Sequence, residues 1–163
     1  MLNTTMTYIL SLLLALLPIS VFTQTSLNGK VIRVADGDTL TLLDAANNQF
    51  RIRLYGIDCP ESHQDFGRVA QKFTSDLCFG KQVSVEVKDK DRYGRIVGIV
   101  FTADKRNVNY LLLEAGLAWH YTAFDRSEAY ARAETIARKE KRGLWVQSNA
   151  MAPWEFRKTK RKK

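Results

Sequence analysis

The sequence predicts a single α+β domain, a small set of short strands with helices packed against it. Three observations predict this. Beyond about residue 26 the chain breaks into five short strand-like segments; three further stretches carry apolar residues at helical spacing; and no linker or internal repeat divides them. A chain of 163 residues suffices for one such domain with its own core.

The first strand-like segment is Lys30–Val34, which runs into the turn-like Asp36-Gly37-Asp38 and is followed by Thr39–Leu43. A polar stretch, Ala45 to Gln49, punctuates the chain. Phe50 to Ile57 then alternates in polarity, as a half-buried strand does, and Pro60 stops it because proline lacks the N–H a ladder needs. A helix is expected over about Gly67–Cys78, with Ala70, Phe73 and Leu77 on one face and Gly80 beyond its end. Val83–Val87 and Ile96–Phe101 are the last two strands, joined through Asp91-Arg92-Tyr93-Gly94-Arg95. Val108, Leu111, Leu112 and Ala115 mark a second helix capped by Gly116, and Ser127–Arg142 a third, ended by Gly143. Leu144-Trp145 should fold back on the core. The pattern alone fits either a closed barrel or an open sheet.

The two ends differ from this body. Residues 1–29 contain no Lys, Arg, Asp or Glu, and Tyr8–Phe22 is apolar apart from Ser11 and Ser20. That run is short for a bilayer span and suits the apolar centre of an export signal, although no basic residue precedes it and no clear small-x-small cleavage site follows. Residues 1–25 are therefore read as a cleaved export signal, with an uncleaved membrane anchor as the alternative. Either reading places the domain outside the cell, in the periplasm or in the envelope. The last seven residues hold six of the 25 basic residues; without them the formal net charge of +8 becomes 19 basic against 17 acidic, or +2. Residues 148–163 read as a basic, disordered tail able to attract polyanions without base specificity.

Cys59 and Cys78 could pair after export, but sequence does not show whether they lie within bridging distance. With only His63 and His120 beside them, they lack zinc-ligand spacing.

The chemistry concentrates elsewhere. Asp36 and Asp38 flank Gly37 between two strands, and Asp58 and Glu61 follow the third. Carboxylates at neighbouring strand ends could converge on a hard divalent cation, which takes oxygen ligands. Taken alone, Asp-Gly-Asp is ordinary turn chemistry. Arg53 and Arg95 add planar guanidinium forks that match phosphate oxygens, although each by itself is an ordinary surface residue.

Together, Asp36-Gly37-Asp38-Thr39, then Arg53 with Ile57-Asp58-Cys59-Pro60-Glu61, then Asp91-Arg92-Tyr93-Gly94-Arg95 resemble, in order, the motifs of the staphylococcal nuclease family. Gly116-Leu117-Ala118 and Gly143-Leu144-Trp145 add to a resemblance spanning about residues 27–146. It implies a five-stranded OB-fold barrel with three helices over residues 26–147. It also implies Ca²⁺ held by Asp38, Asp58 and the backbone carbonyl of Cys59, where the best-known member has threonine. Glu61 corresponds to the group that activates water, and Arg53 and Arg95 to the phosphate-binding arginines. Arg92, Tyr93 and Tyr121 correspond less cleanly to substrate contacts, and Asp36 to an acidic residue behind the ligands. The stretch Ser62–Phe66 is shorter than the equivalent loop of that member. The implied activity is Ca²⁺-dependent cleavage of DNA and RNA by a monomer, leaving 3′-phosphate ends. The competing reading is an OB-fold module that binds nucleic acid without cutting it; a structural or adhesion role leaves the carboxylate–arginine set unexplained.

Overall fold

The alternating segments close on themselves. A computed structural model describes residues 26–161, and within it β1 (Ser26–Asp36), β2 (Thr39–Leu43), β3 (Gln49–Leu54), β5 (Gln82–Lys90) and β6 (Ile96–Thr102) form a closed barrel in the order β1-β2-β3-β6-β5. All neighbours are antiparallel except β3 and β6. Closure depends on β1, which pairs with β5 over Ser26–Lys30 and with β2 over Lys30–Asp36. Register irregularities after Val31 and Val34 bend the strand so that it can serve both partners. The barrel thus resolves the choice the sequence pattern left open.

Period-2 alternation sends Leu40 and Leu42, Ile52 and Leu54, and Val83 and Val85 to the interior, with Val31 and Val100. Three helices pack against this core: α1 (Gly67–Cys78), α2 (Val108–Glu114) and α3 (Glu128–Lys139). Helix α1 buries Ala70, Thr74 and Cys78, four residues apart, while Phe73 and Leu77 are half-buried beside them. Helix α2 starts where the Asn107 side chain accepts a hydrogen bond from the Tyr110 N–H, 3.0 Å, a standard N-cap. The fully buried Asn109 then ties α2 to the barrel: its Oδ1 accepts from the Val100 N–H at 3.0 Å and its Nδ2 donates to the Tyr55 carbonyl at 2.9 Å. Leu144 and Trp145 do fold back, as a 3₁₀ turn over Gly143–Val146.

Three expectations change. The third strand ends at Leu54, not Ile57, because the chain turns at Tyr55–Gly56 and leaves the barrel. Ile57–Asp58 becomes β4, paired with β7 (Trp119–His120). The third helix stops at Lys139 rather than Arg142. The tail is not disordered throughout: Pro153–Arg161 is helix α4. Pro153 at its first position, with φ preset for a helix, and Glu155 in its first turn favour that start. Trp154 anchors it, stacked on Tyr121 at 5.2 Å with 9° between the rings and edge-on to Trp119 at 5.7 Å. Residues 1–25, with the export or anchor reading, lie outside the described residues. No described helix is long and apolar enough to cross a membrane.

Candidate active site

Barrel geometry delivers the carboxylates. Asp36 ends β1 and Asp38 precedes β2, whose pairing sets Thr39 opposite Arg53 on β3. Between the two aspartates, Gly37 lies against Cys59 and helix α1. A Cβ there would sit 2.7 Å from that of Ala70 and 2.8 Å from that of Cys59, so no side chain fits. The Thr74 hydroxyl donates to the Gly37 carbonyl at 2.6 Å and pins the turn to α1. Behind it, the Cys59 N–H donates to Asp38 Oδ2 at 2.6 Å, joining the turn to the segment that carries Asp58 and Glu61.

One guanidinium joins the two aspartates. Arg53 Nη2 donates to Asp58 Oδ1 at 2.7 Å, and its Nη1 is in ion contact with Asp38 Oδ2. The Nη1 contact lacks hydrogen-bond geometry, so it counts as charge pairing only. Asp38 and Asp58 therefore stand within reach of a single charged group. A second guanidinium arrives from α4: Arg157 donates from Nη2 to Asp58 Oδ2 at 2.7 Å and from Nη1 to Glu61 Oε1 at 2.7 Å. Glu61 is on the short turn that runs into α1, where its carbonyl accepts from the Gln64 N–H at 2.8 Å.

Burial makes these charges expensive. It raises the Asp36 carboxyl to about 7, helped by the negative charge of Asp38. It also raises Asp58, against the opposing pull of Arg157 and Arg53. Burial would lower the Arg53 pKa, but Asp38 and Asp58 outweigh it and hold the guanidinium charged.

The opposite wall of the cleft is the β5–β6 hairpin. Arg95 donates from Nε to Asp91 Oδ2 at 2.7 Å, so it is held by its own loop rather than by the carboxylate cluster. Arg92 lies over the Tyr93 ring at 4.9 Å and donates to its hydroxyl at 2.8 Å. The two walls enclose a cavity of about 810 Å³, which Tyr121 and Phe124 also line. All the candidate residues read from the sequence line this one space: Asp36, Asp38, Arg53, Asp58, Cys59, Glu61, Arg92, Tyr93, Arg95 and Tyr121. Those on the carboxylate side interlock, whereas Arg92, Tyr93 and Arg95 bond among themselves and Asp91.

His120 is satisfied by Asp125, 2.8 Å from Nε2, and His63 is exposed. Both cysteines are buried and free, so they do not form the disulfide that the sequence left open. Arg157 was hidden by the basic run around it. The signal that could have found it is the apolar pair Trp154 and Phe156 directly after Ala152-Pro153, which marks an anchored helix start.

The donors suit a hard cation. Asp38 and Asp58 place two carboxylates on one well-buried guanidinium, and burial raises the pKa of Asp58 and of the neighbouring Asp36, so added positive charge there would favour their ionised forms. Among the described residues no three Asp, Glu, His or Cys side chains converge as a complete ligand set. An ion here would rest on two carboxylates, with backbone and water oxygens completing its shell.

Residues 51–147 match the family model for staphylococcal nuclease homologues. The chain is 40% identical over 134 residues to an uncharacterized endonuclease of Escherichia coli, covering 82% of this chain and 87% of that one. It is 36% identical over 152 residues to a micrococcal nuclease of Shigella flexneri, covering 86% of each. A staphylococcal-like nuclease of Arabidopsis thaliana is 45% identical over 113 residues, 69% of this chain but 35% of the longer plant protein. With a closed five-stranded barrel and a carboxylate–arginine cleft behind these likenesses, the chain belongs to the staphylococcal nuclease family and is a phosphodiester-cleaving hydrolase.

Proposed function

We propose that this nuclease is a Ca²⁺-dependent endonuclease that cuts DNA and RNA with little sequence preference and leaves 3′-phosphate ends. The observation that carries the reading is the single guanidinium of Arg53 touching both Asp38 and Asp58 in a cleft that also holds Glu61 and Arg95. Asp38, Asp58 and the Cys59 carbonyl would hold the ion, whose chemistry is to neutralise a phosphate oxygen and lower the barrier to water attack. The Cys59 thiol is too soft a donor to take part. Asp36 backs the cluster: its Oδ1 accepts from the Asp38 N–H at 3.3 Å.

Glu61 accepts a proton from the attacking water as bond formation to phosphorus begins. The 5′-oxygen departs in line with that attack, which leaves phosphate on the 3′ side. Arg53 and Arg95 place guanidinium donors where charge builds on the phosphoryl oxygens. Tyr121, Tyr93 and Arg92, which line the same cleft, would touch the rest of the nucleotide. Low specificity follows because the named charged groups address phosphate, which carries no sequence information. The apolar N-terminal segment supports export to the periplasm, the envelope or the medium, or anchoring to the membrane, and the enzyme acts as a monomer.

The test is digestion of single-stranded DNA and RNA with Ca²⁺, with Mg²⁺ and with chelator. Cleavage should require Ca²⁺, and Glu61→Gln should lower kcat by about 10²-fold or more. Full activity in chelator, or an unimpaired Glu61→Gln variant, would remove the mechanism. Substrate that shifts in a gel without shortening would leave only the binding module.

A further inference from the structure

Arg157 occupies oxygens of Asp58, one of the proposed metal ligands, and of Glu61. Asp58 Oδ2 accepts from its Nη2 at 2.7 Å, and Asp58 Oδ1, already bonded to Arg53, accepts from its Nη1 at 3.3 Å. The same Nη1 holds Glu61 Oε1 at 2.7 Å. We propose that helix α4 is a built-in latch: with no divalent ion bound, the Arg157 guanidinium stands in for it at Asp58 and ties down Glu61, and Ca²⁺ must displace it. This rests on the Ca²⁺ reading above.

Three features argue for competition rather than coexistence. Asp58 is 1% exposed and both its oxygens are covered by guanidinium groups, so a divalent ion has no open approach to them while both arginines stay. A guanidinium and a divalent ion on one buried carboxylate also repel each other where the medium screens them poorly. Of the two arginines, Arg157 is the one that can leave. Its side chain is 38% exposed against 15% for Arg53, and it comes from a terminal helix rather than a barrel strand. The latch also touches the second reacting position, since the Glu61 Oε1 that would face the attacking water is held by Arg157.

The helix is held by more than this ion pair. Trp154 stacks on Tyr121, and the Gln64 side-chain amide donates to the Met151 carbonyl at 2.5 Å, just ahead of α4. Displacing Arg157 therefore requires only that its side chain withdraw, with the helix remaining at the cleft edge.

A receptor whose competent state is open only a tenth of the time binds about tenfold more weakly. Calorimetric titration of the purified protein with Ca²⁺, without nucleic acid, reads this directly. Arg157→Gln should bind Ca²⁺ about tenfold more tightly than the wild type. Lys158→Gln removes the same charge from the same helix without touching the cluster and should stay within about twofold. Trp154→Ala loosens the helix without altering any charge, and it should tighten binding in the same direction as Arg157→Gln. It supplies the reading if the arginine variant folds poorly. Equal or weaker Ca²⁺ binding by Arg157→Gln and Trp154→Ala overturns the latch while leaving the Ca²⁺ site standing. No binding by any of the four proteins overturns both.

Discussion

The two walls of the cleft are built on different principles. On the carboxylate wall the partners are far apart in sequence: Asp38 bonds to the N–H of Cys59, and Asp58 to Arg157, 21 and 99 residues away. Asp38, Asp58 and Cys59 are buried, and contacts between distant segments set their positions. The hairpin wall is local. Asp91 and Arg95 are four residues apart and about one-fifth to one-quarter exposed, and Tyr93 is two-thirds exposed. The cleft therefore joins a charge-crowded side assembled from distant segments to a more exposed side held by contacts within one hairpin.

The largest expected effect separates the walls by stability. Arg53→Ala leaves Asp38 and Asp58 facing each other without their shared counter-charge. Removing one partner from a buried pair costs about 3–5 kcal/mol. At roughly 2–4 °C of Tm per kcal/mol for a domain of this size, melting should fall by about 10 °C. Arg95→Ala breaks a partly exposed pair, worth about 1 kcal/mol or less, and should leave the melt nearly unchanged. Its cost should fall on catalysis instead, with kcat/KM down about 10²-fold or more. Matching losses of Tm in the two variants would break the distinction.

A smaller effect comes from the glycine in each wall. Gly37→Ala forces a Cβ against Cys59 and Ala70, and overpacking of this kind costs about 1–3 kcal/mol. Because Cys59 is next to Asp58, the strain should also weaken Ca²⁺ binding, read by titration. Gly94 meets nothing within 4 Å, and only its φ of +79° opposes a side chain. Gly94→Ala should cost about 1 kcal/mol and leave Ca²⁺ affinity alone. A Ca²⁺ defect from Gly94→Ala, with none from Gly37→Ala, would reverse the assignment of walls to roles.

The sequence made the local wall easy to read and the long-range wall hard. Strand and helix positions followed from periods of 2 and 3.6, and α1 begins and ends where its apolar spacing says it should. The Asp91-to-Arg95 loop was visible as a connection between two alternating strands. Periodicity did not show barrel closure, which only the family resemblance implied, because the parallel pairing of β3 with β6 joins segments more than 40 residues apart. Arg53 and Asp58 illustrate the same limit. A five-residue offset within one strand would point them to opposite faces. The turn at Tyr55–Gly56 lifts Asp58 out of the barrel onto β4, and this brings its carboxylate back to the arginine. Only family resemblance gave that pair a shared role before the turn was known. Arg157 belonged to none of the family motifs and was masked by its basic neighbours; its placement follows from the stacking of Trp154 on Tyr121.

The smallest effect probes how dry the carboxylate wall is. Burial, reinforced by Asp38, pushes the Cys59 thiol well above its ordinary pKa, and burial pushes Cys78 up to about 11. At pH 8 a thiol with a pKa near 11 is ionised about once in a thousand molecules, and only the thiolate reacts. A thiol reagent at pH 8 should therefore leave the native protein unlabelled for as long as unfolded protein takes to label both cysteines. The rate should rise with pH, because the thiolate fraction grows towards the raised pKa. Cys59 packs against Gly37, and its backbone N–H is bonded to Asp38, so Arg53→Ala should expose it and speed its labelling, located by mass spectrometry. Arg95→Ala should not. Rapid labelling of Cys59 in the native wild type would mean that water already reaches the carboxylate wall, and the contrast with the hairpin would lose its physical basis.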